Sequence, residues 1–228
     1  MNSKISIIIP AFNEAKTIKM LLEKVLFESK NWDSQIIVVN DGSKDSTLDI
    51  VESFMNEIII VDLKENRGKG GAIKEGLKYA TGEIVIIQDA DLELDPSEYK
   101  KLLKPLIEKK AEVVYGSRIL GKSKYKKRLF FWGGKFITFL ANLLHRVNIT
   151  DQTNGYKVLR RETLESMKLE SDGFEICSEI TAKIAKMGLK ISEVPVSYYP
   201  RKKSEGKKLK IRDGIMASWT LIKYKFHD

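Results

Sequence analysis

The sequence has little that could hold a metal through sulfur or nitrogen. Its 228 residues include one cysteine, Cys177, and two histidines, His145 and His227. A single cysteine excludes an internal disulfide or a multi-cysteine metal site, and two separated histidines leave no cluster for zinc. The natural setting is a reducing, cytoplasmic one. Long apolar runs are missing too. The longest tract, residues 129–144, carries Lys135 and the pair Gly133–Gly134 and falls short of the roughly 20 apolar residues needed to span a bilayer. The first residues, Met-Asn-Ser-Lys and then Ile-Ser-Ile-Ile-Ile-Pro, read as a strand and not as a cleavable signal, because Pro10 and Asn13 end the apolar run early. Acid is under-represented: 31 Asp and Glu against 40 Lys and Arg give a net charge of +9. Such a surplus suits a polyanion, whether nucleic acid, an anionic bilayer or a phosphorylated substrate.

What is present describes one core with an appendage. Apolar stretches of strand length at residues 5–9, 35–40, 58–62, 84–88, 112–116 and 190–196 alternate with segments of helical period at 14–28, 46–55, 69–80, 96–109 and 175–187. That alternation predicts an α/β fold on a mainly parallel sheet flanked by helices. No internal repeat or low-complexity tract interrupts it. Residues 1–200 are expected to form the domain, and 201–228 a basic amphipathic segment packed on it or extending it.

In an open α/β sheet, ligands bind where the carboxyl ends of strands meet loops. The first strand runs into Pro10-Ala11-Phe12-Asn13-Glu14, the second into Asn40-Asp41-Gly42-Ser43, the third into Asn66-Arg67-Gly68-Lys69-Gly70-Gly71 and the fourth into Asp89-Ala90-Asp91. Two carboxylates one residue apart at the end of a buried strand suit a hard divalent cation and ligand phosphates beyond it; turn chemistry with a helix cap at Asp95 is the plainer explanation. Asp41, at a strand end, can accept from a nucleobase amide or a ribose hydroxyl. Ser43 to Thr47 read as turn and capping residues. The glycine-rich loop is neither a Walker A loop nor a dinucleotide fingerprint. It either cradles phosphate with its backbone amides or makes a tight helix entry with Arg67 and Lys69 in solvent.

Four ordered stretches, Ile-Pro-Ala-Phe-Asn-Glu, Val-Val-Asn-Asp-Gly-Ser-x-Asp-x-Thr, Asn-x-Gly-Lys-Gly-x-Ala and Asp-Ala-Asp with Leu-Glu-x-Asp-Pro, resemble the family 2 glycosyltransferases of the GT-A fold, from Ile5 to about Arg212. Through Gly116-Ser117-Arg118, Gly155-Tyr156-Lys157 and Glu193-Val194-Pro195-Val196 leading to Arg201 and Gly206-Lys207, the chain is similar to the dolichyl-phosphate mannosyltransferase and polyprenyl-phosphate glycosyltransferase branch. The resemblance implies that Pro10, Phe12, Glu14 and Asp41 hold the nucleoside, with Lys69 and Ala90 in the nucleotide-sugar site. It implies that Asp89 and Asp91 bind the diphosphate through Mg²⁺ or Mn²⁺, with Glu93 completing the metal site. Arg118, Arg201 and Lys207 match basic positions around the phosphates and the acceptor. Phe12 stands where relatives often have Tyr, Glu93 where they often have Gln, and 151–154 match the usual stretch before Gly155 imperfectly.

The implied reaction is an inverting, metal-dependent transfer of one hexose from a GDP- or UDP-linked donor to a polyprenyl phosphate at the cytoplasmic membrane face. A phosphomonoester is largely a dianion at neutral pH, with a second pKa of about 6, and needs little help from a base. A saccharide hydroxyl would need one, and Asp151, Glu175 and Glu179 are the candidates; a loop turn for the first and a solvated helix face for the other two are the plainer explanations. The tract from Lys122 to Val147, with basic residues beside Phe130, Phe131 and Trp132, is the expected membrane contact, and the helix after Lys208 offers a second. A homodimer or a membrane-protein partner is left open. A nucleic-acid-binding module would fit the charge but not Asp89 and Asp91, which would repel a phosphate backbone without metal. No Gln-x-x-Arg-Trp motif supports a processive synthase.

Overall fold

The computed structural model describes residues 3–121, 129–201, 208 and 210–227. The basic stretch 122–128 and Lys207 lie outside them. Seven strands form one sheet in the order β3-β2-β1-β4-β6-β5-β7. These are β1 (Ile5–Ala11), β2 (Ser34–Asp41), β3 (Ile59–Leu63), β4 (Ile84–Ile87), β5 (Val113–Ser117), β6 (Lys157–Arg160) and β7 (Ile191–Pro195). All neighbours run parallel except β6, which is antiparallel to both β4 and β5. The central strands are buried on both faces, which is why β4 reads Ile-Val-Ile-Ile with no alternation.

Helices cover both faces. On one side lie α1 (Ile18–Ser29), α2 (Thr47–Glu52) and α4 (Tyr99–Ile107), with Ile18, Leu21, Leu22 and Val25 of α1 at the spacing of one helical face against Ile7, Ile9 and Val38. On the other lie α3 (Gly68–Leu77), α6 (Arg161–Ser166) and α7 (Ile176–Lys186). A third layer, α5 (Leu129–His145) with α8 (Ile211–Phe226), rests on α7 through Ile137, Ala141, Ala182, Ala217, Leu221 and Tyr224. The C-terminal helix is thereby joined to the body of the fold.

The sheet register places the functional edge. Ile8 of β1 pairs with Ile87 of β4, and Ala11 pairs with Asn40 of β2, so Phe12, Asp41 and Asp89 leave the sheet on the same side. Asp95 accepts from the Ser97 N–H at 3.2 Å and Pro96 follows it, so the next helical turn starts where the sequence places a cap. Strand β6 and helix α6 lie outside the elements read from the sequence. Lys-Val-Leu-Arg is only four residues long and polar at both ends, too short for its periodicity to register.

Leu221→Ala should leave a cavity where α8 meets α5 and α7 and lower unfolding free energy by about 3 kcal/mol, measured by urea denaturation. An unchanged midpoint would mean that α8 is not held by this contact.

Candidate active site

The loops at the sheet edge are fastened to one another before any ligand is considered. The Asn13 N–H donates to Ser43 Oγ at 2.9 Å, Asn13 Oδ1 accepts from the Lys44 N–H at 2.7 Å, and the Glu14 N–H donates to Thr47 Oγ1 at 2.8 Å. Asp45 accepts from the Ala15 and Thr47 N–H groups. The residues read as turn and cap formers therefore also bind the first loop to the second. Asp41 accepts from Asn66 Nδ2 and from the N–H groups of Arg67 and Gly68, at 2.7–2.9 Å. Burial raises its pKa, and these N–H bonds oppose the rise. The side chain is thus an anchor for the third loop.

The amides of the three glycines in the glycine loop are bonded within the protein. The N–H groups of Gly70 and Gly71 both donate to the Asp172 carbonyl, and a side chain at Gly70 would meet the Ser171 carbonyl oxygen at 2.3 Å. Its glycines admit the 171–173 loop against the start of α3. Lys69 does reach the site: its ammonium pairs with Asp89. Burial works against that charge, and the Asp89 carboxylate overcomes it, holding the ammonium above the ordinary lysine range.

Asp89 is also set from below and behind. Gln88 accepts from the hydroxyls of Tyr99 and Tyr156, both at 2.8 Å, and donates to the Asp89 carbonyl at 2.9 Å. Gly155 lies so close that a Cβ there would sit 2.0 Å from Asp89 Oδ2. The loop carrying Gly155 is tied down by buried Lys157, which donates to the carbonyls of Gln152 and Asn154 at 3.1 and 2.8 Å. Ala90 is buried, and its carbonyl accepts from Thr17 at the start of α1.

Asp91 is two residues further on. Burial, then the charges of Asp89 and Glu93, push its pKa up to about 7. Its Oδ2 lies 3.3 Å from Arg201 Nη2, and the same guanidinium makes a fork with Glu14 at 2.7 and 3.1 Å. Lys208 adds a second cation to Glu14 at 2.5 Å, bonds the Phe12 carbonyl, and lies 5.6 Å from the Phe12 ring centre. Pro10 is in β1 opposite Val39.

The residues fit a divalent ion. Asp89 and Asp91 offer hard oxygen donors one residue apart, and a Mg²⁺-type ion is commonly held by one or two carboxylates plus substrate phosphates. Glu93, expected as a third ligand, is already hydrogen-bonded at both oxygens. Its Oε2 accepts from the Tyr198 hydroxyl at 2.6 Å and its Oε1 from the Arg201 N–H at 2.7 Å. Leu92, at φ +58°, turns the chain between the two acids. Among the described residues no three metal-ligating side chains gather at one point.

Arg118 closes the other end of the site. Its Nε and Nη2 make a fork to Asp151, both bonds at 2.7 Å; its backbone N–H also donates to Asp151, and Nη2 reaches Thr153 Oγ1. The guanidinium lies 4.9 Å from the centre of the Tyr198 ring. Burial disfavours its charge, but Asp151 more than restores it. Asp151 is held in that pair by three bonds from Arg118. Glu179, expected on a solvated face or as a base, is fully buried. It accepts from the N–H groups of Glu170 and Ser171, from Lys183 at 2.7 Å and from the Tyr224 hydroxyl. Burial raises its pKa, and these bonds bring it below the ordinary range. Glu175 accepts from the Gly173 N–H at its own loop. Tyr198 and Gln88 are site residues that the sequence reading passed over. An isolated glutamine closing an apolar strand is a signal for the second.

The model for glycosyl transferase family 2 matches residues 6–167. The chain belongs to glycosyl transferase family 2. Among curated relatives, it is 33% identical to a UDP-N-acetylglucosamine–dolichyl-phosphate N-acetylglucosaminyltransferase of Methanococcus voltae over 84% of each chain. It is 30% identical to the dolichyl-phosphate beta-glucosyltransferase ALG5A of Trichomonas vaginalis, over 96% of this chain and 72% of that one. The fold matches crystalline glucosyl-3-phosphoglycerate synthase of Mycobacterium tuberculosis in complex with Mn²⁺, UDP and phosphoglyceric acid. That match has a TM-score of 0.74 and 19% identity, covering 99% of this chain and 80% of that one. This family 2 enzyme therefore has the GT-A architecture and is a glycosyltransferase.

Two substitutions separate site geometry from fold. Gly155→Ala should displace the Asp89 carboxylate and weaken Mn²⁺-dependent nucleotide binding roughly 10–100-fold, measured by titration calorimetry; wild-type affinity would refute the contact. Glu179→Gln should lower stability by about 2–3 kcal/mol while leaving kcat per folded molecule within about twofold. A loss of kcat above 100-fold in folded protein would restore Glu179 as a base.

Proposed function

We propose that the enzyme moves one hexose from a GDP- or UDP-linked donor to a polyprenyl, dolichyl-type phosphate, with inversion, at the cytoplasmic face of a membrane and with Mg²⁺ or Mn²⁺. The observation that carries this reading is the commitment of the nearby carboxylates. Asp151 is locked to Arg118, Glu179 to Lys183 and two backbone amides, and Glu93 to Tyr198 and Arg201. A hydroxyl acceptor needs a base, and each of these is already an acceptor in a fixed bond. A phosphate acceptor needs cations instead, and Arg118 is a preorganised one, oriented by Asp151. The names of the two dolichyl-phosphate relatives support the same acceptor class.

In this reading Pro10, Phe12, Glu14 and Asp41 line the nucleoside end, Asp41 by fixing the 66–68 loop. Asp89 and Asp91 hold the divalent ion, which when bound neutralises charge on the departing diphosphate. Lys69 and Arg201, now paired with Asp89 and with Glu14 and Asp91, turn toward the diphosphate. Lys207, outside the described residues, belongs to the same basic segment. Arg118 holds the acceptor phosphate so that one of its oxygens attacks the anomeric carbon from the face opposite the leaving group. Direct displacement inverts that carbon.

The test is a transfer assay with purified protein, Mn²⁺, a panel of GDP and UDP sugars, and a short-chain, water-soluble isoprenyl phosphate. Nucleoside diphosphate release that depends on the isoprenyl phosphate is expected, lost on chelation and reduced at least about 100-fold in Asp91→Asn. Release stimulated by a saccharide in place of the phosphate would transfer the reading to a hydroxyl acceptor. Turnover unaffected by chelation would remove the metal.

A further inference from the structure

Strand β7 is one edge of the sheet, and its Glu193 lies opposite Tyr115 of β5. Charged side chains on an edge strand commonly serve to keep it in water. Glu193 is instead bonded at both carboxylate oxygens. Its Oε2 accepts from the Thr150 N–H at 2.7 Å and its Oε1 from the Asp151 N–H at 3.0 Å. Those amides belong to the loop between α5 and β6, more than forty positions earlier in the chain. One hydrogen bond leaves a peptide free to swing about it. Two consecutive amides on one carboxylate, each bond strengthened by the charge, fix both the place and the orientation of the backbone.

The 150–155 loop has no helix or strand of its own, so its backbone groups are satisfied largely by side chains. Its two halves are held by different ones. Glu193 takes the amides of residues 150 and 151, whereas Thr138 Oγ1 of α5 accepts from the Gln152 N–H at 3.1 Å and Lys157 donates to the carbonyls of Gln152 and Asn154. The halves also meet different parts of the site. The second ends at Gly155, against Asp89. The first carries buried Asp151, whose carboxylate receives the backbone N–H, Nε and Nη2 of Arg118. Beside it the Thr150 hydroxyl lies 2.6 Å from that of Ser117, the residue before Arg118. A carboxylate on so short a side chain goes where its backbone puts it. The direction of the Arg118 fork is therefore set at the Asp151 peptide, and that peptide is held by Glu193.

We propose that Glu193 is a positioning residue for Arg118. By fixing the Thr150 and Asp151 peptides it sets the Asp151 carboxylate, and through that carboxylate the direction in which the guanidinium meets the acceptor phosphate. The inference rests on the reading above that Arg118 holds that phosphate. Loss of Glu193 leaves two amides without their acceptor and lets Asp151 and Arg118 shift as a unit, because the three bonds between them are internal to the pair. Thr138 and Lys157 still hold the rest of the loop. The effect is thus confined to the acceptor end, while Asp89 keeps its place.

The test is a double-mutant cycle in the full chain, with Glu193→Ala, Asp151→Asn and the two together. Transfer to the short-chain isoprenyl phosphate is followed with whichever sugar of the GDP and UDP panel the wild type turns over fastest, and Mn²⁺-dependent binding of GDP and UDP is followed by calorimetry. Glu193→Ala should raise KM for the isoprenyl phosphate at least about tenfold, since misplacing a binding group by about 1 Å costs up to about a hundredfold. Nucleotide affinity should stay within about twofold of wild type, and adding Glu193→Ala to Asp151→Asn should cost no more than about twofold further. Glu193→Gln, which keeps one acceptor oxygen, should move KM in the same direction by less, and it carries the test if the alanine variant does not fold. An unchanged KM would overturn the inference, as would a full multiplicative loss in the double variant. So would a fall in nucleotide affinity equal to the fall in turnover, which would make Glu193 a support of the fold alone. All three results leave transfer by the wild type, and with it the functional reading, standing. Wild-type turnover with a saccharide and not with the isoprenyl phosphate, with the cycle still non-additive, would sink the lipid-phosphate reading and keep Glu193 as the residue that positions Arg118.

Discussion

Negative charge withdrawn from water at one edge of the sheet is the constraint to which the rest of the site answers. Glu14, Asp89 and Asp91 leave β1 and β4 on the same side, and two like charges 4 Å apart repel by about 4 kcal/mol at an effective dielectric of 20. The sequence relieves this with cations from distant positions. Lys69 meets Asp89 from the start of α3, Arg201 bridges Glu14 and Asp91, and Lys208 adds to Glu14. The chain after β7 is thus drawn across the mouth of the sheet by ion pairs, with Tyr198 and the Arg201 backbone fastening it to Glu93. Acids and bases at the edge are one charge system, and on the function proposed above a ligand that adds phosphate and a dication would exchange partners within it without leaving a charge stranded.

That exchange needs a framework that stays still while the side chains move. The first two loops are cross-bonded through Asn13, Ser43, Asp45 and Thr47, and the third is held by Asp41. The fourth is held from inside the core, where Gln88 gathers two buried tyrosine hydroxyls and the Asp89 carbonyl. Buried Lys157 steadies the loop whose Gly155 abuts Asp89. Preorganised charges stabilise a developing anion because they do not have to reorient when it forms.

The parallel core was legible because its strands are buried on both faces and so read as continuous apolar runs, as in Ile5 to Ile9 and Ile84 to Ile87. Asp89 and Asp91 were legible because acid at the end of such a run has no packing purpose. Strand β6 was hidden by its length and by Lys157, a buried lysine inside a strand that sequence alone would place in water. Glu179 looked like any acid on a helix surface; the 170–171 loop folding back on its own helix and the arrival of α8, 45 positions on at Tyr224, bury it. The partners of Glu93 were hidden for a related reason, since Tyr198 and Arg201 lie more than a hundred positions away. Local pattern locates groups at strand ends. It does not tell which of them are already taken.

The third layer shows the same limit from the opposite side. Residues 208–226 read from sequence as one basic amphipathic helix, but α8 has two apolar faces separated by small and polar residues. One closes on Leu221 and Tyr224, and the other is left with Trp219 and Phe226. A helix needs only one apolar face to be held in a fold, so a second one with nothing on it costs solubility and contributes no stability. Helix α5 carries the same surplus, with Trp132, Phe136, Phe139 and Leu143 exposed opposite its buried residues Ile137 and Ala141.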